Sequence, residues 1–184
     1  RKTKEPKRYG MEEWRDLYSP RQLVAHFEYY NSLDYYKDEI YSEFDEETAE
    51  AIVVLLTLAA NKMAEYNSRL ASWHMGKGYP DHVFKGKNFA FKRVFVDNNM
   101  SVGGMGHDSH LSKIVDSYEE IASYLPEGSP TGEVSNQNAA SLPYETGEIQ
   151  SVVVDPPYYS SIMYAELSDF FYVLMGEYLG EVFP

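Results

Sequence analysis

The chain has 184 residues, a formal net charge of −13 and no cysteine. Its length suffices for one domain with a core, while the missing cysteines exclude disulfides and thiolate zinc sites. No apolar run approaches the ~18 residues of a membrane span and no secretory signal is visible, so a soluble cytoplasmic protein is expected. An acidic surface is poorly suited to gripping a phosphate backbone by itself.

Arg1, Lys2, Lys4, Lys7 and Arg8 crowd the first positions, and 1–10 reads as a basic, disordered arm. The next region, 11–78, reads as helical. Ser19 is placed as an N-cap, with Pro20 in the first turn and Gln22 three residues on as in a capping box. That helix is expected to run towards Tyr30, with a second short piece over 35–44. Asp45 or Thr48 then opens a long helix through the apolar run Ile52-Val53-Val54-Leu55-Leu56 to about Ser72, stopped by Gly76 and Gly78.

The remaining stretch, 79–184, reads as a loop-rich connection followed by an α/β segment. Short strand-like runs lie at 88–91 and 93–96. Asp108 or Ser109 caps a helix to about Tyr124, 126–130 is a turn, and 132–139 and 148–154 are two expected strands of one sheet. Ser160 or Ser161 starts a last helix to about Tyr178. His107, Asp108 and His110 lack a third convergent ligand in sequence, so no metal site is assigned. The pairs Tyr29-Tyr30 and Tyr35-Tyr36 suit either base stacking or the edge of a core.

The most informative stretch is Gln150-Ser151-Val152-Val153-Val154-Asp155-Pro156-Pro157-Tyr158-Tyr159. Three valines suit a buried strand, and two prolines end its ladder because neither donates a backbone hydrogen bond. Asp155 then stands at the carboxyl end of the strand, where open α/β sheets place ligands. Its carboxylate, the Pro156 carbonyl and the π face of Tyr158 suit a planar group with an exocyclic amine. Asp-Pro-Pro alone is commonly a rigid turn; the strand before it and the Tyr pair after it are what turn suggests chemistry.

Asp155-Pro156-Pro157-Tyr158 resembles the Asp-Pro-Pro-Tyr motif of S-adenosylmethionine-dependent DNA amino-methyltransferases. The run Tyr164-Ala165-Glu166-Leu167-Ser168-Asp169-Phe170-Phe171-Tyr172-Val173 is similar to a subgroup of large prokaryotic adenine-specific DNA methylases. So are Trp14-Arg15-Asp16-Leu17-Tyr18-Ser19-Pro20-Arg21-Gln22-Leu23 and Tyr66-Asn67-Ser68-Arg69-Leu70.

The resemblance implies part of a Rossmann-like methyltransferase sheet behind a helical N-terminal region, with DNA as partner and S-adenosylmethionine as cofactor. It implies catalytic roles for Asp155, Pro156, Pro157 and Tyr158, with Tyr159 against the base. Ser19-Pro20-Arg21 resembles the Thr-Pro-Arg block with which type I restriction methylases begin a helix lining the cofactor. Asn138 stands where the family usually has an aspartate on the cofactor's adenine; here an amide replaces the carboxylate. The chain departs from the family at the glycine-rich turn. Gly103-Gly104-Met105-Gly106 follows Asp97 at too long a spacing, and in the resembled subgroup that turn lies far upstream. The 184 residues are therefore expected to be an internal piece of a longer enzyme, active only with the remainder of the polypeptide. Methylation of RNA or of a protein amide, or a non-catalytic interaction module, are the alternatives.

Overall fold

Ser19 caps the first helix in both directions: the Gln22 N–H donates to Ser19 Oγ at 3.2 Å, and the Ser19 N–H donates to Gln22 Oε1 at 2.8 Å. This reciprocal pair satisfies end groups that a helix leaves open. The computed structural model describes residues 5–84, 88–126, 128, 132, 134–159 and 161–180. They form α1 (Pro20–Glu43), α2 (Glu46–Tyr66), β1 (Ser72–His74), β2 (Tyr79–Asp81), α3 (His107–Ser123) and α4 (Tyr164–Leu179), with 3-10 turns at Pro6–Tyr9 and Trp14–Leu17.

The expected α/β architecture, part of a Rossmann-like sheet, is overturned. Among the described residues the only sheet is the two-stranded antiparallel ribbon β1–β2, in which Trp73 lies opposite Pro80. The expected strands at 88–91, 93–96 and 148–154 carry no ladder, nor do the described residues of 132–139. A strand needs a neighbour for its N–H and C=O groups, and valine propensity does not supply one. The ribbon that does form lies across Gly76 and Gly78, which make its turn; Gly78 takes a left-handed φ of 71°.

α2 is the central element. Asp45 caps it, accepting from the Thr48 N–H at 3.1 Å, and Ala49, Val53, Thr57, Ala60 and Ala64 form its buried stripe. Small side chains on that stripe let α1 and α4 approach closely. The helix ends at Tyr66, before the expected Ser72, because Asn67 leaves helical geometry at φ −129°, ψ 66°. α1 runs unbroken where two pieces were expected. No glycine or proline interrupts 31–34, and Ser32 Oγ bonds the Glu28 carbonyl within the helix at 2.7 Å.

α4 inserts Phe170, fully buried, among Tyr18, Phe84 and Phe89. Of the expected basic arm, Arg1, Lys2 and Lys4 lie outside the described residues; Pro6 is buried and the Tyr9 ring stacks on Phe91 at 3.8 Å. Ser160, one of two proposed starts for the last helix, also lies outside them. No helix among the described residues is long and apolar enough to cross a membrane.

Candidate functional site

Every described residue from 132 to 159 is exposed. Val153 is 95% and Tyr159 100% accessible, and Tyr158 is 59%. Asp155, Pro156, Pro157 and Tyr158 thus lie on an extended surface segment, not at the tip of a buried strand. That part of the expected geometry is corrected with the sheet: among the described residues no neighbouring strand covers Val152, Val153 and Val154. The segment is anchored just downstream, where the Ser161 N–H donates to the Tyr158 carbonyl at 3.3 Å and α4 follows.

Asn138 closes a local turn. Its side-chain Oδ1 accepts from the Ala140 N–H at 3.0 Å and its carbonyl accepts from the Ser141 N–H at 2.9 Å. Ser19, Pro20 and Arg21 open α1, and Arg21 Nε pairs with Asp97 Oδ2 at 3.2 Å. Arg21 and Asp97 line a cleft of about 710 Å³ together with Tyr29 and His107. Among the described residues no hydrogen bond or ion pair joins Asn138 or Asp155 to Ser19 or Arg21. The structure therefore brings Arg21 to the 97–101 loop and leaves Asn138 and Asp155 apart.

The glycine-rich run is engaged with itself. The His107 N–H donates to the Met100 carbonyl at 2.7 Å, and Ser109 Oγ donates to the Gly104 carbonyl at 2.8 Å. A Cβ on Gly106 would stand 2.9 Å from the Val102 carbonyl oxygen, so this glycine serves a close backbone crossing at the start of α3.

Sequence reasoning missed a buried polar latch that positions the cleft. Gln22, His26 and Tyr30 lie on one face of α1 and are all buried. Gln22 Nε2 donates to the Val96 carbonyl at 2.7 Å and to Asn67 Oδ1 at 3.3 Å. Asn67 Oδ1 also accepts from the Asn98 N–H at 2.9 Å, and the Asn67 carbonyl accepts from His26 Nε2 at 3.0 Å. Burial pushes the His26 imidazole below its ordinary value of 6.5, with the Asn67 carbonyl opposing in part. The neutral ring therefore carries its proton on Nε2. The available signal was Asn67 itself, a helix-ending amide inside one of the family-like blocks.

His107 Nδ1 lies 3.1 Å from Asp108 Oδ1, whereas His110 is buried elsewhere. Among the described residues no three His, Cys, Asp or Glu side chains converge as a metal site would require. No family model, curated protein or solved structure matches this chain.

Proposed function

We propose that this chain supplies the amine-recognising element of an S-adenosylmethionine-dependent DNA amino-methyltransferase acting on adenine N6. The observation that supports this reading is the exposure of the motif: Asp155, Pro156, Pro157 and Tyr158 contribute nothing to the packed core. Two adjacent prolines and two exposed tyrosines on a segment with no packing role suit recognition better than scaffolding.

A base in a duplex must leave the stack before its amine can be reached. The Asp155 carboxylate and the Pro156 carbonyl would accept the two amine hydrogens, drawing the nitrogen lone pair out of conjugation with the ring. Pro157 restricts the loop so that both acceptors hold their directions. Tyr158 would stack on the base and Tyr159 would wall the slot. The methyl donor would be held by the remainder of the same polypeptide, which would carry the glycine-rich turn. With a net charge of −13 on this chain, the surface gripping the DNA backbone would also lie there.

The test is transfer of labelled methyl from S-adenosylmethionine to DNA, RNA and protein by the full-length enzyme. Asp155→Ala should lower the rate on DNA about a hundredfold, roughly 3 kcal/mol of transition-state stabilisation. Tyr158→Phe should retain most activity, whereas Tyr158→Ala should lose about 1–3 kcal/mol of stacking. Label entering RNA or protein instead of DNA, or an Asp155→Ala rate within a few-fold of the parent, would reject the proposal.

A further inference from the structure

A narrow slot of about 230 Å³ opens where the N-terminal turns meet Phe89 and the first turns of α4. Its floor is apolar: Met11, Leu17 and Phe89 line it and are all buried. Its wall is Trp14, set edge-on to Phe89 at 6.1 Å and 77° and still 37% accessible. The volume lies below the usual range for drug-sized ligands and suits one side chain or a short aliphatic molecule.

Carboxylates reach this slot from two separate elements. Glu12 comes from the turn before Trp14, where Asp16 Oδ2 accepts from the N–H groups of Glu12 and Glu13, each at 2.9 Å. Arg69 Nη1 donates to the Asp16 carbonyl at 3.0 Å and ties that turn to the end of α2. Asp169 comes from α4, next to the buried Phe170. Two further lining carboxylates are already occupied: Glu13 pairs with Arg15 Nε at 2.6 Å, and Glu166 is engaged as well. The side chains of Glu12 and Asp169, in contrast, form no hydrogen bond or ion pair among the described residues. Lys7, the only base lining the slot, pairs with neither.

We infer that this slot binds an alkylammonium group, its aliphatic stem on Met11, Leu17 and Phe89 and its charge on Trp14, Glu12 and Asp169. Charge complementarity selects this occupant. A neutral apolar group would fill the floor and leave both carboxylates unmatched. A metal ion needs ligands closer together, and among the described residues no three carboxylate or imidazole groups converge as one would require. An ammonium on an aliphatic stem uses every part, because the stem packs on apolar surface while the head stays at the wet rim, and an indole is the best aromatic partner for a cation. The group's source is either a lysine side chain of a partner protein or a free polyamine. No residue of 150–159 lines the slot, so this site is independent of the methyl-transfer proposal.

Trp14 provides the readout. The chain has two tryptophans, and Trp73 lies outside the slot on the β1–β2 ribbon, so Trp73→Phe leaves Trp14 as the sole indole. In that background the full chain is titrated with Nα-acetyl-lysine methylamide, with spermidine, with the neutral Nα-acetyl-norleucine methylamide, and with sodium chloride at matched ionic strength. A saturable change in Trp14 emission is expected with an amine, at the millimolar midpoint that solvent-exposed ion pairs support. Glu12→Gln combined with Asp169→Asn, two exposed and nearly isosteric changes, should raise that midpoint about threefold or more. A lower midpoint for the lysine amide would identify a protein side chain as the source, and a lower one for spermidine the free polyamine. The proposal is overturned if neither amine gives a saturable change, or if the norleucine amide or sodium chloride reproduces it. A smaller shift in the double variant would overturn it too.

Discussion

Individual side chains carry the strongest constraints when they are buried and polar. His26 and His110 both sit below the ordinary 6.5 because burial penalises the charged ring. The unfolded chain therefore binds more protons than the native one as pH falls through 6.5. Stability is fully present above that value and is lost as pH drops towards the lower folded values. We expect the denaturation midpoint to fall between pH 7 and pH 5.5, above the range in which most carboxylates titrate. His26→Gln combined with His110→Gln should flatten that slope, measured by urea unfolding at each pH; an unchanged slope would remove these histidines as its cause. Gln22 shows why such residues were hard to read: its role as a capping partner was legible from Ser19, but its bonds to Val96 and Asn67 cross 74 and 45 residues of sequence.

Helix starts were legible because caps are local. Ser19 and Asp45 both accept from the backbone N–H three residues on, as their spacing implied. Strands were not legible, because pairing is a relation between segments. Val152, Val153 and Val154 have strong β propensity and form no ladder, whereas Ser72–His74 and Tyr79–Asp81 pair because a glycine turn brings them together. The two kinds of interaction also differ in magnitude. Ser19→Ala removes a cap and should cost about 1 kcal/mol. Phe170→Ala empties a site shared by Tyr18, Phe84 and Phe89 and should cost about 3–5 kcal/mol. Chemical denaturation of both variants checks the order; Ser19→Ala proving the more damaging would mean that α4 adds little to the core.

At the scale of the molecule, a helical body built on α2 is joined to α4 by a surface segment. The hydrogen bonds formed within 134–159 are local, such as Ser141 to Asn138 and Glu148 to Glu145. Local opening should therefore require little free energy there and much more in the centre of α2. Backbone amides of Val152, Val153 and Val154 are expected to exchange with solvent at nearly the unprotected rate, while those of Ala60, Met63 and Ala64 exchange slowest. Protection at the valines comparable to that in α2 would contradict the surface placement.

The sequence by itself determined what depends on near neighbours: the caps of α1 and α2, and a chemically distinctive Asp155-Pro156-Pro157-Tyr158 run. Only the tertiary structure decided which polar side chains were absorbed as struts. Asn67 became a junction for Gln22, His26 and Asn98, while His110 was buried with both ring nitrogens unmatched beside Tyr66 and two lysines. The physical reason is range. A cap or turn resolves its hydrogen bonds within a few residues, whereas burial and pairing depend on which distant segments the packed core brings into contact.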